Sequence, residues 1–179
     1  MIVFINGTYG VGKTSVAEEM QRHITDIKTI IFDPDELYQN MAEEIFFDVI
    51  NNRGGMAPQN NKMFLNRVKE KLLPYKDMNV LCIVPMALTT KETIEIVWES
   101  LNDNSKAIFH FILEADESII EERINSDEGR KQKEKALGEL QSNTIFLNNN
   151  FIEAIRINTN NKSVKEVANE IMNMINKVS

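Results

Sequence analysis

Residues 7–15 read Gly7-Thr8-Tyr9-Gly10-Val11-Gly12-Lys13-Thr14-Ser15, directly after the apolar run Ile2-Val3-Phe4-Ile5. Gly7, Gly12, Lys13 and Thr14 fit the phosphate-loop pattern G-x-x-x-x-G-K-[ST] position by position. Such a loop folds its backbone N–H groups around an anion, and the helix that follows adds the positive end of its dipole. The sequence supplies that helix, with Val16, Ala17, Met20 and Ile24 spaced along one face. The reading is therefore a nucleotide triphosphate site. Gly7, Tyr9, Gly10, Val11, Gly12 and Ser15 are its loop residues, Lys13 reaches the β- and γ-phosphates, and the Thr14 hydroxyl is a ligand of Mg²⁺. The plain alternative is an ordinary glycine-rich turn between a strand and a helix.

Working outward, short apolar runs alternate with helical patterns to the end of the chain. That alternation predicts an α/β protein with helices around a mainly parallel sheet. Strands are expected at Ile2–Ile5, Thr29–Phe32, Val80–Val84, Ala107–Leu113 and Ala154–Ile157. Ser163 with Glu166 three residues on is a capping box, and Val164, Val167, Ile171, Ile175 and Val178 behind it recur at helical spacing. A chain of 179 residues is expected to form one domain. Two stretches are longer than simple connections: 33–76, read as an acceptor-binding region, and 125–150, read as a lid. Both follow strand ends where open parallel sheets bind ligands.

Composition narrows the class. A net charge of −7 argues against broad nucleic-acid binding. Cys82 is the only cysteine and lies in the run Val80–Val84, so it reads as core filler and excludes a disulfide framework. No apolar run reaches transmembrane length, and the first residues carry neither a basic segment nor a cleavage site. A cytoplasmic protein is expected, with no membrane-attaching segment after the last helix.

Other nucleotide-binding classes lack their signatures in this chain. A GTPase would want an Asn-Lys-x-Asp base reader, but Asn161-Lys162-Ser163-Val164 lacks the aspartate. A motor-type ATPase would want an acid at the end of a downstream strand, whereas Ile83-Val84-Pro85-Met86 ends in none. Small kinases instead carry an acid at the end of the second strand, and here Thr29-Ile30-Ile31-Phe32 runs into Asp33-Pro34-Asp35. Pro34 disfavours helical geometry at Asp33 and suits the first helical position, so Asp33 is expected to be the last extended residue. Asp33 is a candidate general base and a ligand of hydrated Mg²⁺, or else only a helix cap. Asp35 is a second candidate on the acceptor side. Arg123 and Arg130 are candidates to cover the γ-phosphoryl oxygens, against the alternative of a solvated charged face. Arg53 and Arg67 are candidate acceptor contacts, and Met86 and Leu88 a candidate apolar acceptor wall. His110, Trp98 and Phe109 read as core.

These residues together resemble the nucleoside- and shikimate-kinase-like branch of phosphate-loop kinases, and within it the tunicamycin-resistance ATP-binding proteins. The resemblance rests on Ile5-Asn6-Gly7 leading into Gly10-Val11-Gly12-Lys13-Thr14, Phe32-Asp33-Pro34, Ile83-Val84-Pro85-Met86, Phe109-His110-Phe111, and Leu113 ahead of a Glu-rich helix carrying Arg123. It implies a three-layer kinase fold with a five-stranded parallel sheet of order 2-3-1-4-5 and a small lid. It further implies ATP as the nucleotide and a small-molecule acceptor, such as a nucleoside-type antibiotic, between Asp33 and Met86. Chloramphenicol phosphotransferase is similar and uses an acid at the equivalent strand end as base. By analogy of fold, the loop at Asn158-Thr159-Asn160 contacts the adenine, which puts Thr159 in the nucleotide site. The chain departs from the pattern at Leu137-Gly138-Glu139-Leu140, which has no further lid arginine, and around Asn51–Pro58. The function implied is phosphoryl transfer to a hydroxyl; the alternative is ATP-dependent drug sequestration without transfer.

Overall fold

The computed structural model describes residues 1–51, 57–102, 108–129 and 132–177. Its centre is β1 (Ile2–Asn6), a strand buried at every position. A strand covered on both faces needs apolar side chains in both directions, and the run Ile2-Val3-Phe4-Ile5 provides them. Val3 and Ile5 point into one core layer with Met20, Phe111, Ile124 and Ile171, whereas Ile2 and Phe4 point into the other with Phe64, Leu65, Val97 and Leu147.

Four strands flank β1: β2 (Thr29–Ile31), β3 (Leu81–Pro85), β4 (Ile108–Glu114) and β5 (Ile155–Asn158). All pairings are parallel, in the order β2-β3-β1-β4-β5. The expected strands all occur, each within about a residue or two of its predicted ends where both ends are described. The sheet order agrees with the order that the family resemblance implied. The expected strand start at Ala107 lies outside the described residues.

Helices close both faces. The side of Val3 and Ile5 is covered by α1 (Lys13–His23), and by α6 (Glu117–Ser126), α7 (Lys133–Gly138) and α9 (Val164–Asn176). The other side is covered by α4 (Lys62–Leu72), by a π-type turn over Thr93–Trp98 that runs into α5 (Glu99–Leu101), and by part of α8 (Leu140–Asn150). Between β2 and α4 lie α2 (Pro34–Asn40) and α3 (Ala42–Ile50), so the described part of 33–76 is largely helical, and α4 within it packs on the sheet. The capping box at the start of α9 is formed: Glu166 N donates to Ser163 Oγ at 3.3 Å, and Ser163 N donates to Glu166 Oε2 at 2.8 Å. Those Ser163 bonds hold the Glu166 carboxyl below its usual pKa. Among the described residues, no helix is long and apolar enough to cross a membrane.

The packing yields two expected outcomes. Phe4 is fully buried with its ring edge-on to Trp98 at 5.6 Å, whereas Phe46 on α3 is 56 % exposed. Phe4→Ala should cost about 3–5 kcal/mol in urea unfolding, and Phe46→Ala should stay within about 0.5 kcal/mol of the parent. Burial pushes the Cys82 thiol up to about 12, offset only in part by the nearby Met1 ammonium. A thiol reagent at pH 8 should therefore label the native protein only as fast as it unfolds, and label the urea-unfolded chain at once.

Candidate active site

The site forms where β1 ends and α1 begins. Gly12 occupies the N-cap of α1 at φ 103°, and no side chain caps the helix. A helix that starts this way has no side chain answering its first N–H groups. A Cβ on Gly12 would meet nothing within 4 Å, so this glycine faces open space, and the positive φ is the reason only glycine suits it. Gly10 is different: at φ +79°, a Cβ there would lie 2.6 Å from Ile124 Cγ1. The loop is thus clamped against α6 on one side and open on the other. That is the construction of an anion cradle.

Lys13 Nζ donates to Gly7 O at 3.0 Å and Thr8 O at 2.8 Å, and stands 5.8 Å from the centre of the Tyr9 ring. Thr14 and Ser15 are exposed at the first turn of α1 and face the same cavity. That cavity, of about 440 Å³, is lined by Gly10, Gly12, Lys13, Thr14 and Arg123 together with Pro34, Asp35, Phe64, Met86 and Thr89. Asp127 lines it as well.

Asp33 has extended geometry, φ −92° and ψ 110°, and Pro34 takes the first helical position, as the X-Pro constraint predicts. The β-ladder runs one residue past β2, because Phe32 N donates to Ile83 O at 2.9 Å. Asp33 Oδ1 accepts from Asp35 N at 2.8 Å, so the capping role is present and engages one carboxylate oxygen. Asp35, rather than Asp33, is among the residues lining the cavity.

Arg123 ties three parts of the site together. Its Nη1 donates to Thr159 Oγ1 at 3.0 Å and to Val11 O at 3.5 Å, and its Nη2 donates to Thr159 O at 3.1 Å. Thr159 is buried just past β5, and its own N–H donates to Glu114 O at 2.7 Å. A second cavity, of about 390 Å³, opens beyond Arg123 between the loop and the start of α9, with Thr159, Lys162 and Ser163 in its wall. Arg123 and Gly12 face both cavities.

The other candidates divide. Met86 lines the cavity, whereas Leu88 is wholly buried in the core. Arg67 is on the exposed face of α4, where Nη1 donates to Glu70 Oε2 at 3.2 Å, away from the residues lining the cavity. Arg53 and Arg130 lie outside the described residues. His110 is buried against Trp98 and Phe151, as a core histidine should be. Sequence reading assigned no role to Asn6, Asp127 or Lys162. For Asn6 a signal existed: a carboxamide closing an otherwise apolar strand must find buried partners.

Hard oxygen donors suit Mg²⁺, and the cavity offers the Thr14 hydroxyl with the carboxylates of Asp35 and Asp127 near it. No cluster of three or more acidic, histidine or cysteine side chains that could hold a metal occurs among the described residues. The donor set therefore fits a metal held mainly by phosphate and water, which is how Mg²⁺ is ordinarily bound.

The architecture is matched by solved structures. The tunicamycin resistance protein of Deinococcus radiodurans superposes at a TM-score of 0.73 with 21 % identity, covering 97 % of this chain and 94 % of that one. The fold is that of the phosphate-loop kinases. Shikimate kinase from Acinetobacter baumannii, in complex with shikimate, superposes at 0.67 with 17 % identity over 98 % of this chain and 93 % of its own. The APS kinase of Mycobacterium tuberculosis, in complex with AMPPNP and APS, gives 0.66 with 17 % identity over 98 % and 96 %. No protein-family model and no curated protein sequence matches the chain.

The clamp on the loop can be tested directly. Gly10→Ala should lower stability by about 1–3 kcal/mol in urea unfolding, because its Cβ enters the space of Ile124.

Proposed function

We propose that the protein is an ATP-dependent phosphotransferase that moves the γ-phosphoryl group of ATP to a hydroxyl of a small molecule, such as a nucleoside-type antibiotic. The observation that carries this reading is the convergence of an uncapped, open-faced helix N-terminus, Lys13, Thr14 and Arg123 with Asp35 and Met86 on one cavity. The likeness of fold to small-molecule kinases and to a tunicamycin resistance protein supports it.

In this reading the acceptor oxygen attacks the γ-phosphorus, and its bond to the β–γ bridging oxygen breaks. ADP departs with that electron pair, and the hydroxyl proton passes to the Asp33 carboxylate. Gly7, Tyr9, Gly10, Val11, Gly12 and Ser15 line the triphosphate. Lys13 exchanges the Gly7 and Thr8 carbonyls for phosphate oxygens. Arg123 is already fixed by Thr159 and Val11 O, so its charge is preorganised at small cost to meet the transferring group. Thr159 borders the base. Thr14, with Asp33 through water, would hold Mg²⁺, which would supply charge neutralisation to the triphosphate. Asp35 and Met86 face the acceptor. The site works in the cytoplasm.

The test is ADP release from MgATP against a panel of nucleosides, tunicamycin and other hydroxylated antibiotics. One acceptor should drive ADP release and gain one phosphate by mass. Asp33→Asn should lower kcat by roughly 10²–10⁴-fold with ATP affinity nearly intact, and full activity in that variant would remove Asp33 as the base. Tight acceptor binding without ADP release would replace transfer with sequestration.

A further inference from the structure

Asn6 closes β1 and is completely buried. Its Oδ1 accepts from Gly7 N at 2.7 Å and from Leu88 N at 3.0 Å, and its Nδ2 lies 3.1 Å from His110 Nε2. Two backbone N–H groups can meet only the oxygen of a carboxamide, so the amide orientation is forced and Nδ2 must be the donor. His110 Nε2 must then be the acceptor, with the ring proton on Nδ1. The imidazole is in turn wedged between Trp98, 4.5 Å between ring centres, and Phe151, at 4.6 Å.

The two N–H groups belong to two segments that border the cavity. Gly7 opens the phosphate loop, whose Gly10, Gly12 and Lys13 line it. Leu88 lies between Ala87 and Thr89, which line it with Met86. We propose that Asn6, its N–H₂ held by His110, is a positioning residue that fixes the phosphate loop and the acceptor-side segment 86–89 relative to one another. This rests on reading the cavity as the nucleotide and acceptor site. One carboxamide holds the exits of β1 and β3, and its amide nitrogen is anchored on β4. Reversing that amide would present its N–H groups to two N–H donors and release both segments at once. Burial and the nearby Arg156 charge lower the His110 pKa to about 3, which keeps Nε2 an acceptor through the physiological range.

The test begins with the unaltered protein and needs no nucleotide. Long-range ¹H–¹⁵N spectra of histidine-labelled protein at pH 7 should show His110 protonated at Nδ1 only, and the Gly7 and Leu88 amides should exchange slowly with solvent. A proton on Nε2 would overturn the proposal. Asn6→Leu should weaken MgADP binding about ten-fold or more, because two buried N–H groups lose their acceptor. His110→Phe keeps the packing but not the acceptor, and should speed Gly7 and Leu88 exchange together; His110→Gln, which offers an amide oxygen in its place, should restore slow exchange. Asn6→Asp keeps both backbone contacts and should move the ring proton to Nε2. Unchanged exchange in His110→Phe, or equal losses in His110→Phe and His110→Gln, would reduce the contact to packing. If the parent protein binds no MgADP, the functional reading fails, while the tautomer and exchange results still decide the strut.

Discussion

Everything at the functional end of this molecule depends on a helix that begins without a cap. No side chain caps the start of α1, because Gly12 has none to offer, and its left-handed φ turns the chain there. The peptide dipoles of the helix add rather than cancel, so the site carries positive potential before any lysine is counted. A protein of net charge −7 therefore carries a local concentration of positive potential within an acidic whole. Such an arrangement favours a bound, enclosed anion over a broad polyanionic surface.

Keeping that helix end in place is the work of the sheet. β1 sits between β3 and β4, and its side chains enter both core layers, so the strand cannot slide without disturbing the two layers together. The loop inherits this rigidity at its start through Asn6 and in its middle through Gly10 against Ile124. Arg123 extends the framework to β5, and the bond from Thr159 N to Glu114 O closes it. A preorganised site needs this kind of support, since a displacement of about 1 Å can cost two orders of magnitude in rate.

Much of the fold was legible because its signals are local. Uninterrupted apolar runs marked the strands, Ser163 with Glu166 marked the start of α9, and Pro34 fixed both the end of the second strand and the start of α2. The strand order came from resemblance, since no local pattern tells β1 to pair with β4 rather than with β2. In the site, the loop residues could be read from the spacing of glycines around a lysine. The partners of Arg123 could not, because Thr159 is distant in sequence and meets it only through the order of the sheet. Arg67 could be read as facing a phosphate or solvent, and its helix turns it to Glu70 and solvent.

By itself, the sequence determined where the backbone must bend, where it must be extended and which strands must be buried on both faces. Each of these follows from the sterics or polarity of a few neighbouring residues. Only the tertiary structure decided that Asp35 and Met86 share a cavity with Lys13, that Arg123 is braced by Thr159, and that Asn6 meets Leu88 and His110. Those contacts join residues on separate strands and helices. Their geometry is set by how two core layers pack against a common sheet, and no local pattern carries that information.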